Sequence, residues 1–185
     1  AIAHLLAAGY VYIGMDHFAL PDDELALAQQ RGSLHRNFMG YTTHADTDLV
    51  GMGVSAISHV GDSFSQNPRD LVVWAAALDA GRLPVFRGMR LSEDDQLRAD
   101  LIQQLMCQGE IPIRMLERRY QIDFGMYFAD AMQALRSLQA DGLVLIDPDR
   151  IRATARGRLL LRNIAMCFDQ YLQRHDGTSK FSKVI

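Results

Sequence analysis

The apolar residues of this chain change their period near residue 90. In SEDDQLRADLIQQLMC, residues 92–107, Leu97, Leu101, Ile102, Leu105 and Met106 fall three or four apart, the spacing that gathers an apolar stripe on one face of an α-helix. Ser92, with Asp95 three positions on, reads as its N-terminal capping box. Two more helices are predicted, over about 112–119 and about 124–139, the latter carrying Met126, Phe128, Met132, Leu135 and Leu138. DGLVLIDPDRIRAT then reads as a hairpin of two short strands around Asp147-Pro148-Asp149. Thr154 is placed as the N-cap of a closing helix over about 155–172. Three helices, a hairpin and a closing helix predict a mainly α, winged-helix-like domain over 90–174, with 175–185 as a tail ending in FSKVI.

Residues 1–89 have a different rhythm. AIAHLLAAGY reads as the end of a helix closed by Gly9, and because the first residue is not Met the chain is expected to begin inside a longer protein. YVYIGM, residues 10–15, is dominated by β-branched and aromatic residues and reads as a buried strand, with Asp16, His17 and Phe18 at its C-terminal end. Pro21-Asp22-Asp23-Glu24 opens a helix to about Gln30, its acidic residues at the positive end of the helix dipole. Residues 36–48 read as loop and Gly51–Ser58 as a second strand whose glycines admit a close neighbour. Residues 61–67 read as a turn, Pro68–Ala80 as a helix with Leu71, Trp74, Ala75 and Leu78 on one face, and 81–88 as a connection. Helix, strand, helix is the order of an α/β fold, in whose parallel sheets ligands sit at the C-terminal ends of strands. The predicted class is therefore α/β over 1–89, followed by mainly α.

Composition narrows the function classes. A chain of 185 residues can bury a core without a disulfide or a metal. Its 49% hydrophobic and 22% charged residues fit a globular protein and not a disordered one. A net charge of −3 and a pI near 6.1 argue against wholesale nucleic-acid binding and leave room only for a local basic patch. No apolar run approaches the roughly 20 residues of a membrane span, and no secretory leader is expected. Cys107 and Cys167 are the only cysteines; both sit in apolar helical surroundings and read as buried free thiols in a reducing, cytoplasmic compartment.

Several residues invite chemistry. His17, His35, His44 and His59 lack metal-ligand spacing. His17 beside Asp16 has the pairing for acid–base work, and bracing a loop at a strand end is its plainer role. Gly51-Met52-Gly53 is only the first half of a dinucleotide fingerprint. Met15, Met39, Met52 and Met89 read as flexible apolar filler. Arg150, Arg152, Arg156, Arg158 and Arg162 crowd the hairpin and the closing helix, outnumbering Asp147 and Asp149. A basic wing can hold DNA by its phosphates. Yet the recognition-helix segment DFGMYFADAMQALRSLQ carries Asp130 and almost nothing suited to base edges. A solvated face, or a cover over a carboxylated ligand, suits these arginines better.

Four blocks, IGMDHFALPDDELA, HRNFMGYTTHADTDLVGMGVSAIS, TARGRLLLRNIAMCFDQYL and FSKVI, occur in that order. Together they resemble the oxygen-independent coproporphyrinogen III oxidases, the long bacterial form of a radical S-adenosylmethionine enzyme of haem biosynthesis. The resemblance runs through essentially the whole chain. It implies a C-terminal portion: over 1–89 the last strands and helices of an open, TIM-like α/β barrel, then the helical domain that covers it. The family's CxxxCxxC motif, whose cysteines bind a 4Fe–4S cluster, does not occur in this sequence. The cluster ligands and most S-adenosylmethionine contacts are thus expected in a missing N-terminal barrel, and no catalytic residue or metal ligand is assigned here.

The resemblance also implies roles for single residues. RNFMGYTT and GMGVSAIS are similar to segments lining the S-adenosylmethionine pocket. Ile57 matches a position that touches the cofactor, and Phe38 one near a second cofactor site. Met39 stands where the family often has Gln, which removes a hydrogen-bonding amide. Arg36, Asn37 and Tyr41 are our own candidates for holding substrate propionates, since arginine grips a carboxylate through two parallel bonds; bracing the loop is the alternative. For the whole enzyme the resemblance implies cleavage of S-adenosylmethionine at the cluster and hydrogen abstraction from two propionates of coproporphyrinogen III. Loss of CO2 then leaves the vinyls of protoporphyrinogen IX, with an unidentified electron acceptor completing each step. The isolated chain is expected to be inactive and, with barrel faces uncovered, to self-associate; no nucleic-acid or membrane partner is expected. The alternatives are a haem-binding relative and a non-catalytic winged-helix module.

Overall fold

The computed structural model describes residues 1–45 and 47–173; the predicted tail 175–185, with FSKVI, lies outside the described residues. Helix α1 (Ile2–Ala7) closes on Ala8, with Gly9 left-handed at φ +87, as its sequence predicts. Strand β1 (Val11–Gly14) turns back at once into β2 (His17–Ala19). Helix α2 (Glu24–Arg31) follows, the Asp23 carboxylate accepting from the Leu25 N–H at 2.8 Å. Strands β3 (His35–Asn37) and β4 (Gly40–Thr42) make a second hairpin.

Two expectations change in this region. YVYIGM pairs antiparallel with β2, Tyr12 opposite Phe18, where the element order predicted parallel pairing. Its connection is the dipeptide Met15-Asp16, and a parallel crossover needs a dozen residues or more. The segment from residue 36 is not all loop, because β3 and β4 occupy its first half. Three-residue polar strands show no period that distinguishes them from a loop.

The chain divides into two compact units, one of Ala1–Thr43 with the residues from Leu97 onward, the other His44–Gln96. In the second unit β5 (Ile57–Val60), β6 (Ser63–Gln66) and β7 (Arg87–Arg90) form an antiparallel sheet in that order. Helix α3 (Leu71–Asp79) is capped by Asp70, whose carboxylate accepts from the Val73 N–H at 2.9 Å. The predicted strand Gly51–Ser58 is a strand only from Ile57; the predicted turn 61–67 is mostly β6, and 81–88 contains the start of β7. The 51–56 loop wraps the buried Asn67, whose side-chain amide donates to Gly53 O at 2.8 Å and Gly51 O at 3.4 Å. A Cβ on Gly51 would stand 2.6 Å from Ile57 O. This glycine is therefore required for one stretch of backbone to lie against another.

Leu71, Val72, Val73, Leu83 and Phe86 are all exposed in this unit, and of the predicted helix face Leu71 and Leu78 are exposed while Trp74 and Ala75 are half-buried. So much apolar surface favours association. The expected result is an apparent mass in light scattering that rises with concentration; a monomer mass that holds at millimolar concentration contradicts it.

The remainder of the first unit is mainly helical. Its elements are α4 (Glu93–Gln108) from Leu97 on, β8 (Glu110–Pro112), α5 (Ile113–Tyr120), α6 (Phe124–Tyr127), α7 (Ala129–Ala140), β9 (Val144–Ile146) and β10 (Arg150–Ala153). A 3-10 turn (Gly157–Leu160), α8 (Leu161–Met166) and α9 (Gln170–Gln173) follow among the described residues. The capping box forms as predicted: Ser92 Oγ accepts from the Asp95 N–H at 3.2 Å, and the Asp95 carboxylate accepts from the Ser92 N–H at 2.9 Å. The hairpin β9–β10 also forms, but β10 is the central strand of three, with β8 on its other side. The helix predicted over 124–139 breaks at Phe128 (φ −105, ψ 31), and Met126 is exposed. The closing helix is three pieces, opened by Thr154, whose hydroxyl accepts from the Gly157 N–H at 3.0 Å. The stripe Leu97, Leu101, Leu105 and Met106 packs with Ile111, Leu116, Phe124, Phe128, Leu135, Ile151, Ile164 and Phe168 into one core. A smaller cluster of Ile13, Ala19, Ala26, Ala28, Leu34 and Cys107 joins the first hairpin to α2 and α4.

Candidate functional site

Tyr41, on β4, is the point where both N-terminal hairpins meet the end of α4. Its hydroxyl donates to Met106 O at 3.1 Å and lies where a side chain on Gly14 of β1 would stand. The His17 ring meets it edge-on at 5.2 Å, and the Arg36 guanidinium carbon is 5.7 Å from its centroid. Arg36 and Tyr41 are cross-strand partners of the β3–β4 hairpin, so the cation sits on the ring face by register. His17 Nδ1 is 2.9 Å from the Asp16 carboxylate. Tyr12 donates to Met15 O at 2.9 Å and to Arg158 O at 3.4 Å, which ties the first hairpin to the 3-10 turn. Gln29 donates to Ile13 O at 2.6 Å.

Burial pushes the Tyr41 phenol up to about 12; Cys107 adds to the rise and Arg36 opposes it. Burial likewise pushes the Cys107 thiol up to about 12, again against Arg36. Burial also raises Tyr12, with Arg158 opposing. Both Tyr41 and Cys107 thus keep their protons longer in the folded chain than in the unfolded one. Their contribution to stability is complete below the ordinary thiol value of 9.0 and is lost as pH rises to about 12. The expected result is a lower urea midpoint at pH 11 than at pH 8; equal midpoints contradict it. Cys107 is 1% exposed, so it should react with a thiol reagent at pH 8 only as fast as the fold opens.

Five of the six predicted site residues share one hairpin. Arg36 and Asn37 lie on β3, Tyr41 on β4, and Phe38 and Met39 form the turn between them, 57% and 84% exposed. The Asn37 carboxamide oxygen accepts from the Met39 N–H at 2.8 Å, so Asn37 closes the turn. Ile57 opens β5 in the 44–96 unit, its carbonyl against Gly51. The predictions omitted Tyr12, Gln29 and the Gly14 notch, whose roles depend on partners distant in sequence. Among the described residues no group of three or more His, Cys, Asp or Glu is placed to hold a metal, and no helix is long and apolar enough to cross a membrane.

Four of the five wing arginines fall into two sets. Arg150 pairs with Glu110 at 3.8 Å and Arg152 with Asp147 at 2.8 Å. Arg158 and Arg162 instead line a cavity of about 260 Å³ with Met15, Asp16 and Asn163.

Residues 91–160, from β7's end to the 3-10 turn, match the HemN C-terminal domain family. This stretch is similar to the HemN C-terminal domain. Over its whole length the chain is 49% identical to the oxygen-independent coproporphyrinogen III oxidase of Escherichia coli (strain K12), of which it covers 40%. It is 51% identical over 98% of its length to the enzyme of the same name from Pseudomonas aeruginosa, covering 39% of it. It also matches a solved structure of the Escherichia coli coproporphyrinogen III oxidase (HemN), a radical SAM enzyme. That match has a TM-score of 0.89 and 50% identity, over 92% of this chain and 39% of the other. The chain thus spans about 40% of the length of these relatives.

Proposed function

We propose that this chain is the C-terminal part of an oxygen-independent coproporphyrinogen III oxidase, which converts two propionates of coproporphyrinogen III to the vinyls of protoporphyrinogen IX. What supports the reading is agreement at about half of all positions, along the whole chain, with relatives named for that substrate. Each propionate becomes a vinyl by losing one hydrogen atom, CO2 and one electron, and the electron passes to a one-electron acceptor. S-adenosylmethionine with a 4Fe–4S cluster would supply the hydrogen-atom abstraction. The described residues do not fit the cluster: Cys107 and Cys167 are the chain's two cysteines, and among the described residues no group of three or more His, Cys, Asp or Glu is placed to hold a metal. In this reading the cluster ligands lie in a segment outside this chain.

In this reading the chain's own residues bind and orient. Arg36 offers a substrate carboxylate a bidentate grip. Tyr41 spends its proton on Met106 O and holds the hairpin in place. Asn37 keeps the turn closed, and the exposed Phe38 and Met39 give an apolar surface to S-adenosylmethionine, Met39 without the amide bond that Gln would make. In the 44–96 unit Ile57 is assigned its own apolar contact with the cofactor. Residues 1–89 would complete an open α/β barrel, and 90–174 a winged-helix-like cover with β9–β10 as its wing.

A gene joining the N-terminal part of the Escherichia coli enzyme to this chain tests the reading in cells. It should restore anaerobic growth to a strain lacking its own oxygen-independent oxidase. No growth, with the soluble fusion present at the parent's level, would argue against it.

A further inference from the structure

The cavity beside the 3-10 turn is lined by Met15, Asp16 and residues 158–163. Arg158 and Arg162 are four residues apart, with Asn163 next in the chain. Four arginines of this unit are paired with carboxylates: Arg114 with Asp149 at 2.9 Å, Arg119 with Asp100 at 3.0 Å, and Arg150 and Arg152 as above. Arg158 and Arg162 make no ion pair among the described residues. The one carboxylate on the cavity wall, Asp16, is engaged by His17 at 2.9 Å.

Arg158 is nonetheless held in place. Its guanidinium lies over Gly109, whose φ is +74 and where an added Cβ would come within 3.3 Å of Nη1. Its backbone carbonyl is tied to Tyr12. Met15, also lining the cavity, has a positive φ of 53°, a conformation that for a non-glycine residue persists only where surrounding structure enforces it. The cavity is therefore a shaped place with two fixed-charge donors and one acid, Asp16, that His17 already contacts. That is the wall an anion with planar, two-oxygen geometry recognises. At about 260 Å³ it falls below the roughly 300–1,000 Å³ of sites that enclose a drug-sized ligand. It suits one short carboxylated arm, with Met15 and Leu160 against the methylenes.

We propose that this cavity is a carboxylate pocket that takes one propionate arm of the tetrapyrrole, gripped by Arg158 and Arg162 with an added amide donor from Asn163. The identity of the carboxylate rests on the oxidase reading; the pocket itself does not.

The test titrates coproporphyrin III and its tetramethyl ester into the protein, its Arg158→Gln variant and its Arg162→Gln variant, with circular dichroism as the fold control. Sodium propionate is added separately while the arginine Nε–H resonances are followed by NMR. The expected result is that Arg158→Gln weakens coproporphyrin III about tenfold to a hundredfold, the loss of a charge-assisted bond pair. Arg162, being exposed, is replaceable without unfolding and should weaken it several-fold. The ester should not distinguish the proteins, and propionate should move the Arg158 resonance. Equal coproporphyrin III affinity in all three proteins overturns the pocket and leaves the oxidase reading intact. No coproporphyrin III binding, with the Arg158 resonance still moved by propionate, overturns the tetrapyrrole and supports a pocket for another carboxylate. No binding and no shift overturns the pocket.

Discussion

Phe128→Ala is expected to cost about 3–5 kcal/mol, the range for deleting a fully buried aromatic ring. Phe128 is 2% exposed, with ring centroids of Phe124 at 4.9 Å and Phe168 at 5.5 Å. The Arg98 guanidinium carbon lies 5.2 Å from its ring centroid while Nη1 donates to Phe168 O at 2.9 Å. The residue also stands at the break between α6 and α7, where its carbonyl accepts from the Met132 N–H at 2.8 Å. Removing the ring leaves a void among three helices and strips the apolar side of Arg98. Folded domains hold about 5–15 kcal/mol in reserve, so the variant should be close to unfolded at 37 °C. Urea unfolding measures this; a loss below about 1 kcal/mol would mean that the cluster is not packed as described.

Gly157→Val is expected to be comparably severe, at about 3 kcal/mol or more, because the new Cβ must displace backbone and not a side chain. Any Cβ at 157 would overlap Leu143 O and stand 2.9 Å from Leu143 C. The contact is fixed from both sides. Thr154 donates its N–H to Leu143 O at 2.9 Å and its hydroxyl to Gly142 O at 2.8 Å, while that hydroxyl accepts from Gly157. The 3-10 turn that Gly157 opens carries Arg158. Even the smaller Gly157→Ala should therefore weaken coproporphyrin III binding along with stability. A Gly157→Val protein with a wild-type urea midpoint would contradict this packing.

The parts legible in the sequence are those whose signals are local. Ser92 and Asp95 are three apart and cap each other. The stripe on α4 is buried along the helix, and Asp147-Pro148-Asp149 turns the hairpin it predicts. The parts that were not legible depend on distant partners. Strand β8 is three residues between two helices, and only its register with β10, Ile111 opposite Ile151, makes it a strand. GMGVSAIS has the composition of a strand, but Asn67 takes the carbonyls of Gly51 and Gly53 and holds it as a loop. Phe128 fits the helical spacing of its segment, yet its burial between Phe124 and Phe168 goes with a break there. At the candidate site the resemblance picked out the β3–β4 hairpin. The tertiary contacts separate its members: Tyr41 and Asn37 brace, while Phe38 and Met39 are left on the surface. The wing arginines look alike in sequence, and only their partners divide the paired Arg150 and Arg152 from Arg158 and Arg162.

The most direct test of the account is product analysis with a purified chimera of the Escherichia coli N-terminal part and this chain, carrying its cluster and kept anaerobic. Supplied with coproporphyrinogen III, S-adenosylmethionine, a reductant and an electron acceptor, it should release two CO2 per tetrapyrrole and accumulate protoporphyrinogen IX. A folded, cluster-loaded chimera that cleaves S-adenosylmethionine but leaves all four propionates intact would contradict the account. These 185 residues would then hold the fold without the substrate.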